Sequence, residues 1–559
     1  MLTKSSRFTS HDSPQPHSAS LSGNSVRPSQ IAIVLIAGMV HACAIAWPFD
    51  AIFTAGQPLW WLQVLTMFAL ALQISRCGNA KSAALLGWVF ATALQCATWW
   101  WLFISLHSYG GLASPLAVVA IVGLAAFLAL YYALAFAVFM LVAPVNQAGR
   151  ALVFAACWLF AELARVAFFT GFPWGEGGYA QLDGPFANLV KLFGVHGLTF
   201  GVAVVAAAAA TWAMRPRLWP AAGIAAGLLI AFAVSQSLKI REDGASLFTA
   251  ALPAQGVPFS VTLLQGNIAQ DEKFQGGKGI PDALNWYGQQ LNAAVTSLVV
   301  TPETAIPLLP DQLPESYADA LAQRFTKPPA GASVTAALVG IPLGNAQAGY
   351  TNSAIGLKPT ATGAPAGDVV YRYDKHHLVP FGEFVHPLFK WFLAIVNIPL
   401  SDFNSGAVSQ PSFEWLGQRL APNICYEDLF GEELAARFFD PSLSPTIFVN
   451  ISNIAWFGNT IAIDQHLNIS RMRALEFERP MVRATNTGAT AFIDYRGQVT
   501  QMLPRHTRGA LVGEVEGRTG TTPYAWWASR FGLWPWWVLI ALVLGFAALG
   551  RRRRSPRRL

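Results

Sequence analysis

Apolar stretches long enough to cross a hydrocarbon layer of about 30 Å recur near residues 31–48, 57–75, 82–105, 115–143, 150–171, 193–213 and 218–236, and once more near 530–549. In lipid every backbone polar group must be satisfied within the protein, so these segments are restricted to helices packed against one another. The expectation is an integral membrane α-helical bundle of about eight transmembrane helices. Composition agrees: 53% of residues are hydrophobic, only 12% are charged, and the mean hydropathy is +0.40. An ordinary soluble globule is excluded.

The net charge of +7 raises nucleic acid as a partner, but the excess sits in Arg551, Arg552, Arg553, Arg554, Arg557 and Arg558. Such a run beside an apolar span reads as a basic cytoplasmic tail (551–559) at the bilayer surface, so nucleic-acid binding is not expected. The connections fix a direction. Arg76 and Lys81, then Arg150, then Arg215 and Arg217 mark every second loop, while the intervening loops carry little besides Lys191. Cytoplasmic loops collect Lys and Arg, so both termini are expected inside the cell and the long segment after residue 240 outside the cytoplasm. Lys239 and Arg241 fall on the outer side but open a long domain, where the charge rule has little force.

Residues 1–29 are rich in Ser, Pro and His and read as a disordered cytoplasmic leader. No clean small-residue cleavage site follows the first apolar run, so that run is expected to remain as a span. Residues 30–240 form the membrane domain with seven spans, and 528–550 the eighth.

Residues 245–520 differ in texture. Short β-rich runs at 261–265, 297–301, 334–341, 369–373 and 446–451 alternate with helical stretches at 281–296, 314–325 and 464–478. This is an α/β pattern, long enough to bury a sizeable core. Of five cysteines, Cys43, Cys77, Cys96 and Cys157 lie in or beside apolar segments and Cys425 stands alone in this polar half. The half can form no internal disulfide, and neither Cys nor His spacing suggests a metal site.

Three stretches set reactive side chains at expected strand ends, where α/β folds carry their sites: TPETAIP with Glu303, YDKHHLVPFGEF with Lys375 and Glu383, and PNICYEDLFGEE with Cys425. A thiol attacks as thiolate, and its reference pKa of about 8.5 requires help at neutral pH. A carboxylate can take its proton and a lysine ammonium can stabilise thiolate and oxyanion, so Glu303, Lys375 and Cys425 divide acyl transfer sensibly.

With ISNIAWFG at 451–458, these stretches resemble the carbon–nitrogen hydrolase (nitrilase) superfamily and its Glu-Lys-Cys triad. That resemblance implies an αββα sandwich with Glu303 as general base, Lys375 as thiolate and oxyanion stabiliser and Cys425 as nucleophile. The spans, TGFPWGEGGYAQ at 170–181 and RMRALEFERPMVRATNTG at 471–488 look like the apolipoprotein N-acyltransferases. That likeness implies a fatty acyl group passing from a phospholipid to the thiol and then to the α-amine of an S-diacylglyceryl cysteine. It also implies a periplasmic catalytic domain on a bacterial inner membrane, no cofactor, and supporting or substrate-binding positions at Glu383, Tyr426, Glu427, Phe274 and Trp456.

The sequence departs from the family pattern at three places. Phe274 stands where Trp is frequent, Ile454 replaces the usual Asp of SND, and FGEFVHP replaces FGEYVP. Two membrane features stand beside the motifs: Glu162 and Arg165, three residues apart in the fifth span, are expected to pair. The apolar stretch Pro387–Leu400 is placed to dip into the lipid surface. A membrane-tethered amidase with the same triad is the alternative reading, weakened by the spans, since one helix suffices as an anchor. A transporter with a non-catalytic outer domain is a further rival, and it lacks charged residues lining several spans.

Overall fold

Each of the eight apolar stretches contains a helix: α1 (Pro28–Ile45), α2 (Trp60–Ser75), α3 (Ala80–Trp99), α4 (Ser114–Leu128) with α5 (Leu130–Val142), α6 (Gln147–Ala167), α7 (Val190–Met214), α8 (Leu218–Leu238) and the terminal helix Trp534–Arg554. The computed structural model describes residues 26–216, 218–239, 252–328, 334–359, 371–384 and 403–554. The leader up to residue 25, Arg217, Arg241, the Pro387–Leu400 stretch and the last five residues lie outside the described residues. By length and apolar composition, five of the helical segments can cross a membrane, α4 and α5 counting as one segment. The α2 helix and Ala222–Leu238 are shorter apolar helices, and α6 carries Arg150, Glu162 and Arg165.

Small side chains bring the bundle together. The α7 helix buries Ala203, Ala206, Ala207 and Ala210 on the side that meets α2 and α6, which allows close backbone approach where lipid supplies no hydrophobic drive. Side-chain caps start α3 and α6: Asn79 accepts the Ser82 amide at 2.8 Å, and Asn146 accepts that of Gly149 at 2.6 Å.

After the bundle the chain forms two six-stranded sheets. One has the order β12-β1-β2-β3-β4-β5, from Gly509–Arg518, Ala254–Gln265, Leu298–Val300, Ala336–Asn345, Gly349–Leu357 and Tyr371–Asp374. The other has the order β11-β10-β9-β8-β7-β6, from Val499–Met502, Ala491–Ile493, Met481–Thr485, Ile447–Ser452, Gln418–Ile424 and Phe413–Trp415. The β1-β2-β3 and β7-β8-β9 runs are parallel.

Alternation along the strands builds the layers. Leu298, Val300 and Leu338 meet Ile447, Val449, Ile451, Val482 and Ala484 between the sheets. Val299, Ala337 and Val339 point the other way, onto Leu291 of the helix α9 (Gly279–Ala293) and Phe325 of α10 (Glu315–Phe325). Phe448 and Met481 leave the second sheet outward, against the helices Gly431–Ala435 and Ala462–Phe477. Helix, sheet, sheet, helix is the αββα sandwich, and period-two patterning on doubly covered strands produces it.

The second helical layer is continuous with the bundle. Phe430, Phe438, Leu467, Phe477 and Tyr524 share one apolar core with Trp99, Trp101, Trp174, Tyr179, Val190 and Val195. At Gly194, φ is +69° and a Cβ would sit 2.3 Å from the Tyr524 ring, so glycine both kinks α7 and admits the aromatic. Glu162 and Arg165 are not an ion pair, contrary to the sequence expectation. Glu162 accepts from the Trp158 indole at 2.9 Å and the Gly177 amide at 3.1 Å, while Arg165 donates to the Phe172 and Trp174 carbonyls at 3.1 and 2.7 Å. Both side chains fasten the 170–177 turn, whose carbonyls and amides need partners at this buried position.

Candidate active site

Four strands end at one place. Glu303 follows β2, Lys375 follows β5, Cys425 follows β7 and Asn453 follows β8, so both sheets contribute. Cys425 opens a tight turn with φ of +53°, a conformation that side chains other than glycine rarely adopt. Such strain is held by surrounding structure. Here the Cys425 carbonyl accepts from His466 Nε2 at 3.0 Å and from Asn450 at 3.4 Å. His466 Nε2 also reaches Asp428 at 2.9 Å, and Arg483 donates to Nδ1 at 2.8 Å, which fixes the proton on Nε2.

Glu303 reaches its position because β3 lets the chain pass closely. A Cβ on Gly340 would lie 2.2 Å from the Pro302 carbonyl and 3.0 Å from the Glu303 Cα. The carboxylate is 7% exposed and its two oxygens are differently occupied. Oε1 accepts from Asn352 at 2.7 Å and from Lys375 at 3.3 Å, and Oε2 accepts from the Asn453 amide at 2.8 Å. Lys375 also donates to Glu383 at 2.9 Å, and Asn352 bridges the two carboxylates with a second contact of 2.7 Å. Glu383 in turn accepts the Val379 amide at 2.9 Å, so it orients Lys375 instead of approaching the thiol through these bonds.

The electrostatics separate the groups. Burial pushes the Cys425 thiol up to about 12, Glu303 adds to this, and Lys375 opposes it. Burial would also raise Glu303, but Lys375, Lys273 and the Asn352 and Asn453 donors outweigh it and hold the carboxyl below the usual range. Burial alone would lower Lys375, and the fields of Glu303, Glu383 and Cys425 raise it instead. The resting site therefore pairs a protonated thiol with an ionised carboxylate and a fully charged lysine. That arrangement can accept a proton from sulfur as sulfur attacks carbon.

The remaining sequence candidates divide. Glu427 accepts the Ile424 amide at 2.6 Å, the His376 amide at 2.6 Å and the Tyr373 hydroxyl at 2.8 Å, tying the Lys375 loop to the Cys425 turn. Tyr426 points to the bundle, donating to the Gly171 carbonyl at 3.1 Å and stacking on Phe172. Trp456 lies on the turn Ile454–Phe457, its carbonyl accepting from Ser105 at 2.7 Å and its ring edge-on to Tyr109. Phe274 is half-buried beside Lys273. Lys273, Asn352, Asn453, His466 and Arg483 escaped sequence reading, because lone polar residues in loops, on strands and on helices look like solvated surface. Among the described residues no cluster of His, Cys, Asp and Glu is arranged to hold a metal ion.

A cluster of Glu, Lys and Cys where two six-stranded sheets meet, built onto apolar helices, defines a carbon–nitrogen hydrolase domain carried by a membrane domain. Residues 261–524 match the carbon-nitrogen hydrolase family, and residues 37–208 match the apolipoprotein N-acyltransferase N-terminal domain. An apolipoprotein N-acyltransferase from Verminephrobacter eiseniae is 55% identical over 94% of this chain and 98% of its own length. Those from Ralstonia nicotianae and Bordetella bronchiseptica are 43% and 40% identical, covering 89% and 94% of this chain and 90% and 98% of theirs. The chain belongs to the apolipoprotein N-acyltransferase family. Among solved structures, a Nesterenkonia amidase of the nitrilase superfamily aligns with 51% of this chain and 99% of its own, at 17% identity and a TM-score of 0.33.

Proposed function

We propose that this enzyme moves a fatty acyl group from a phospholipid, through a thioester on Cys425, to the α-amine of the S-diacylglyceryl cysteine that begins a bacterial lipoprotein. Cys425 attacks the ester carbonyl while Glu303 takes the thiol proton, and Lys375 balances the negative charge that develops. The tetrahedral intermediate expels the lysophospholipid hydroxyl, which leaves with the proton from Glu303. The acceptor amine then attacks the thioester carbonyl, forming an amide and returning the thiol. No redox step or cofactor enters this cycle. An α-amine has a pKa of about 7.7–8.0, so a useful share is neutral where a lysine at about 10.4 has little.

The observation that carries this reading is the shared core of site and bundle. Tyr426, next to the proposed nucleophile, packs on the 170–174 turn, and the Trp174 ring of that turn lies tilted 5.5 Å from His466, which holds the Cys425 carbonyl. A membrane-tethered amidase would need no such junction. Phe274 and Trp456 are proposed substrate-packing residues, and Glu383, Tyr426 and Glu427 supporting ones.

We place the catalytic domain (245–520) in the periplasm, the bundle (30–240 and 528–550) in the inner membrane, and the leader (1–29) and tail (551–559) in the cytoplasm. Two features support this. Arg76, Arg150, Arg215 and Arg551 lie at the bundle end away from the sandwich, where Arg551 reaches the Met140 carbonyl at 2.9 Å. At the other end exposed Trp526, Phe531 and Trp534 form an aromatic fringe, with Arg530 between the Trp526 and Phe439 rings, as expected at an interface.

Incubation with phospholipid should leave a hydroxylamine-sensitive acyl adduct on Cys425, visible by intact-protein mass spectrometry and absent from Cys425→Ala. An active preparation without that adduct would overturn the mechanism.

A further inference from the structure

Lys273 has no assigned part in the chemistry, yet it is only 3% exposed, and burying an ammonium costs several kcal/mol unless charge and hydrogen bonds compensate. Its Nζ donates to the Glu303 carbonyl at 3.0 Å, its one hydrogen-bond partner among the described residues. No carboxylate lies within ion-pair distance of it there. Its compensation comes from the site itself: burial lowers Lys273, the fields of Glu303 and Cys425 oppose that, and the ammonium ends at about 8.

We infer that Lys273 is a positioning residue for the chemistry at Cys425: it pins the Glu303 loop and supplies a second buried cation beside Lys375, matching the carboxylates of Glu303 and Glu383. The inference rests on the proposed role of Glu303 as the base. The titratable groups around Glu303 are Lys273, Lys375, Glu383 and Cys425. With the thiol protonated, two lysines balance two carboxylates, and transfer of the thiol proton to Glu303 moves charge without adding any. Without Lys273 the surroundings of Glu303 carry one positive charge fewer at the outset. The low dielectric of the pocket makes that costly and favours a protonated, inactive Glu303.

The test separates the charge from the anchor. Lys273→Gln keeps an N–H donor for the Glu303 carbonyl but removes the cation, and Lys273→Arg keeps both. Full-length enzyme in nanodiscs is assayed two ways across mildly acidic to neutral pH: single-turnover acylation of Cys425 by phospholipid with no acceptor amine present, and iodoacetamide alkylation of Cys425 read from its peptide. Removing an opposite charge this close raises a carboxyl enough that Lys273→Gln should be at least about ten-fold slower near pH 5 than near pH 7 in both assays. Wild type and Lys273→Arg should stay nearly level over that range. A Lys273→Gln profile that superimposes on wild type overturns the inference, even if the overall rate falls.

A variant that fails to fold is caught by its thermal midpoint, and Lys273→Met, which removes cation and donor together but keeps the length of the side chain, then repeats the comparison of pH profiles. Alkylation needs no acyl donor, so it distinguishes two failures. Wild type that alkylates normally but never forms an acyl adduct defeats the proposed function, whereas unshifted alkylation in Lys273→Gln defeats the role of Lys273.

Discussion

Cys425 sits in a left-handed conformation that aims its thiol while denying it the ordinary freedom of a strand residue. Glu303, the proposed base, is held as firmly, since it accepts three hydrogen bonds. Glu303→Gln keeps the shape and removes the proton acceptor, so thioester formation should slow about 10²- to 10⁴-fold in single-turnover acylation while phospholipid binding persists. Gly340→Ala makes a sharper point. A methyl group there meets the Pro302 carbonyl at 2.2 Å, so the Glu303 loop must move. Activity should fall as steeply as in Glu303→Gln, although no reactive group has been touched, because misplacement by about 1 Å suffices to cost 10²-fold.

His377 shows a different dependence on pH. Its Nδ1 lies 2.8 Å from Glu433 and its Nε2 2.7 Å from the Thr170 carbonyl, and both partners are acceptors. Burial would lower this imidazole, but Glu433 and the Thr170 carbonyl outweigh burial and raise it. A raised pKa means the stabilisation is complete below the free-imidazole value of about 6.5 and is lost as pH rises through the folded value. Thermal midpoints in nanodiscs should therefore decline across that window in wild type and be flatter in His377→Gln.

At the scale of elements, the Ala462–Phe477 helix differs most from its appearance. Asp464, Gln465, His466, Asn468, Ser470, Arg473 and Glu476 would make it a solvated helix by pattern, yet all are buried. All but Arg473, which pairs with Glu476 on the same helix, spend their polarity on another element: Gln465 accepts from the Trp174 indole at 2.8 Å, Asn468 donates to Gly56 at 2.8 Å, and Glu476 accepts the Val195 amide at 2.9 Å. This helix is the bracket between bundle and sandwich. Trp174→Ala removes a buried aromatic and one of the two indole donors to the Gln465 carbonyl, leaving Trp101, which should cost about 3–5 kcal/mol, measurable as lost resistance to denaturant of the full-length protein in detergent. Arg483→Met should cost a similar amount for another reason, leaving Asp428 and His466 without their cation.

At the scale of the molecule, the catalytic domain is not a detachable enzyme. Its outer layer buries Tyr426, Phe430, Phe477 and Tyr524 together with bundle residues in one core. Expressed alone as residues 252–522, the domain would expose that apolar face. It should bind a hydrophobic dye and elute as aggregate in size-exclusion chromatography, whereas the full chain in nanodiscs does neither. A soluble monomer with ordinary dye binding would contradict the shared core.

The membrane helices, the α/β alternation and the three reactive stretches were legible along the chain because each is a local property. Apolar length, strand period and the residue types around Glu303, Lys375 and Cys425 all lie within short windows. Pairing Glu162 with Arg165 failed for the converse reason. Helical spacing puts two charges on one face, but the unpaired carbonyls and amides of the 170–177 turn compete for them, and that turn arrives from outside the helix. Lys273, Asn352 and His466 were invisible on the same principle, since an isolated polar side chain acquires a role only from what folding sets beside it. The sequence determined the layers, the bilayer and the chemistry available. Only the tertiary structure decided which polar groups are dry, because burial, and with it the strength of every charge in the site, is set by elements remote in the chain.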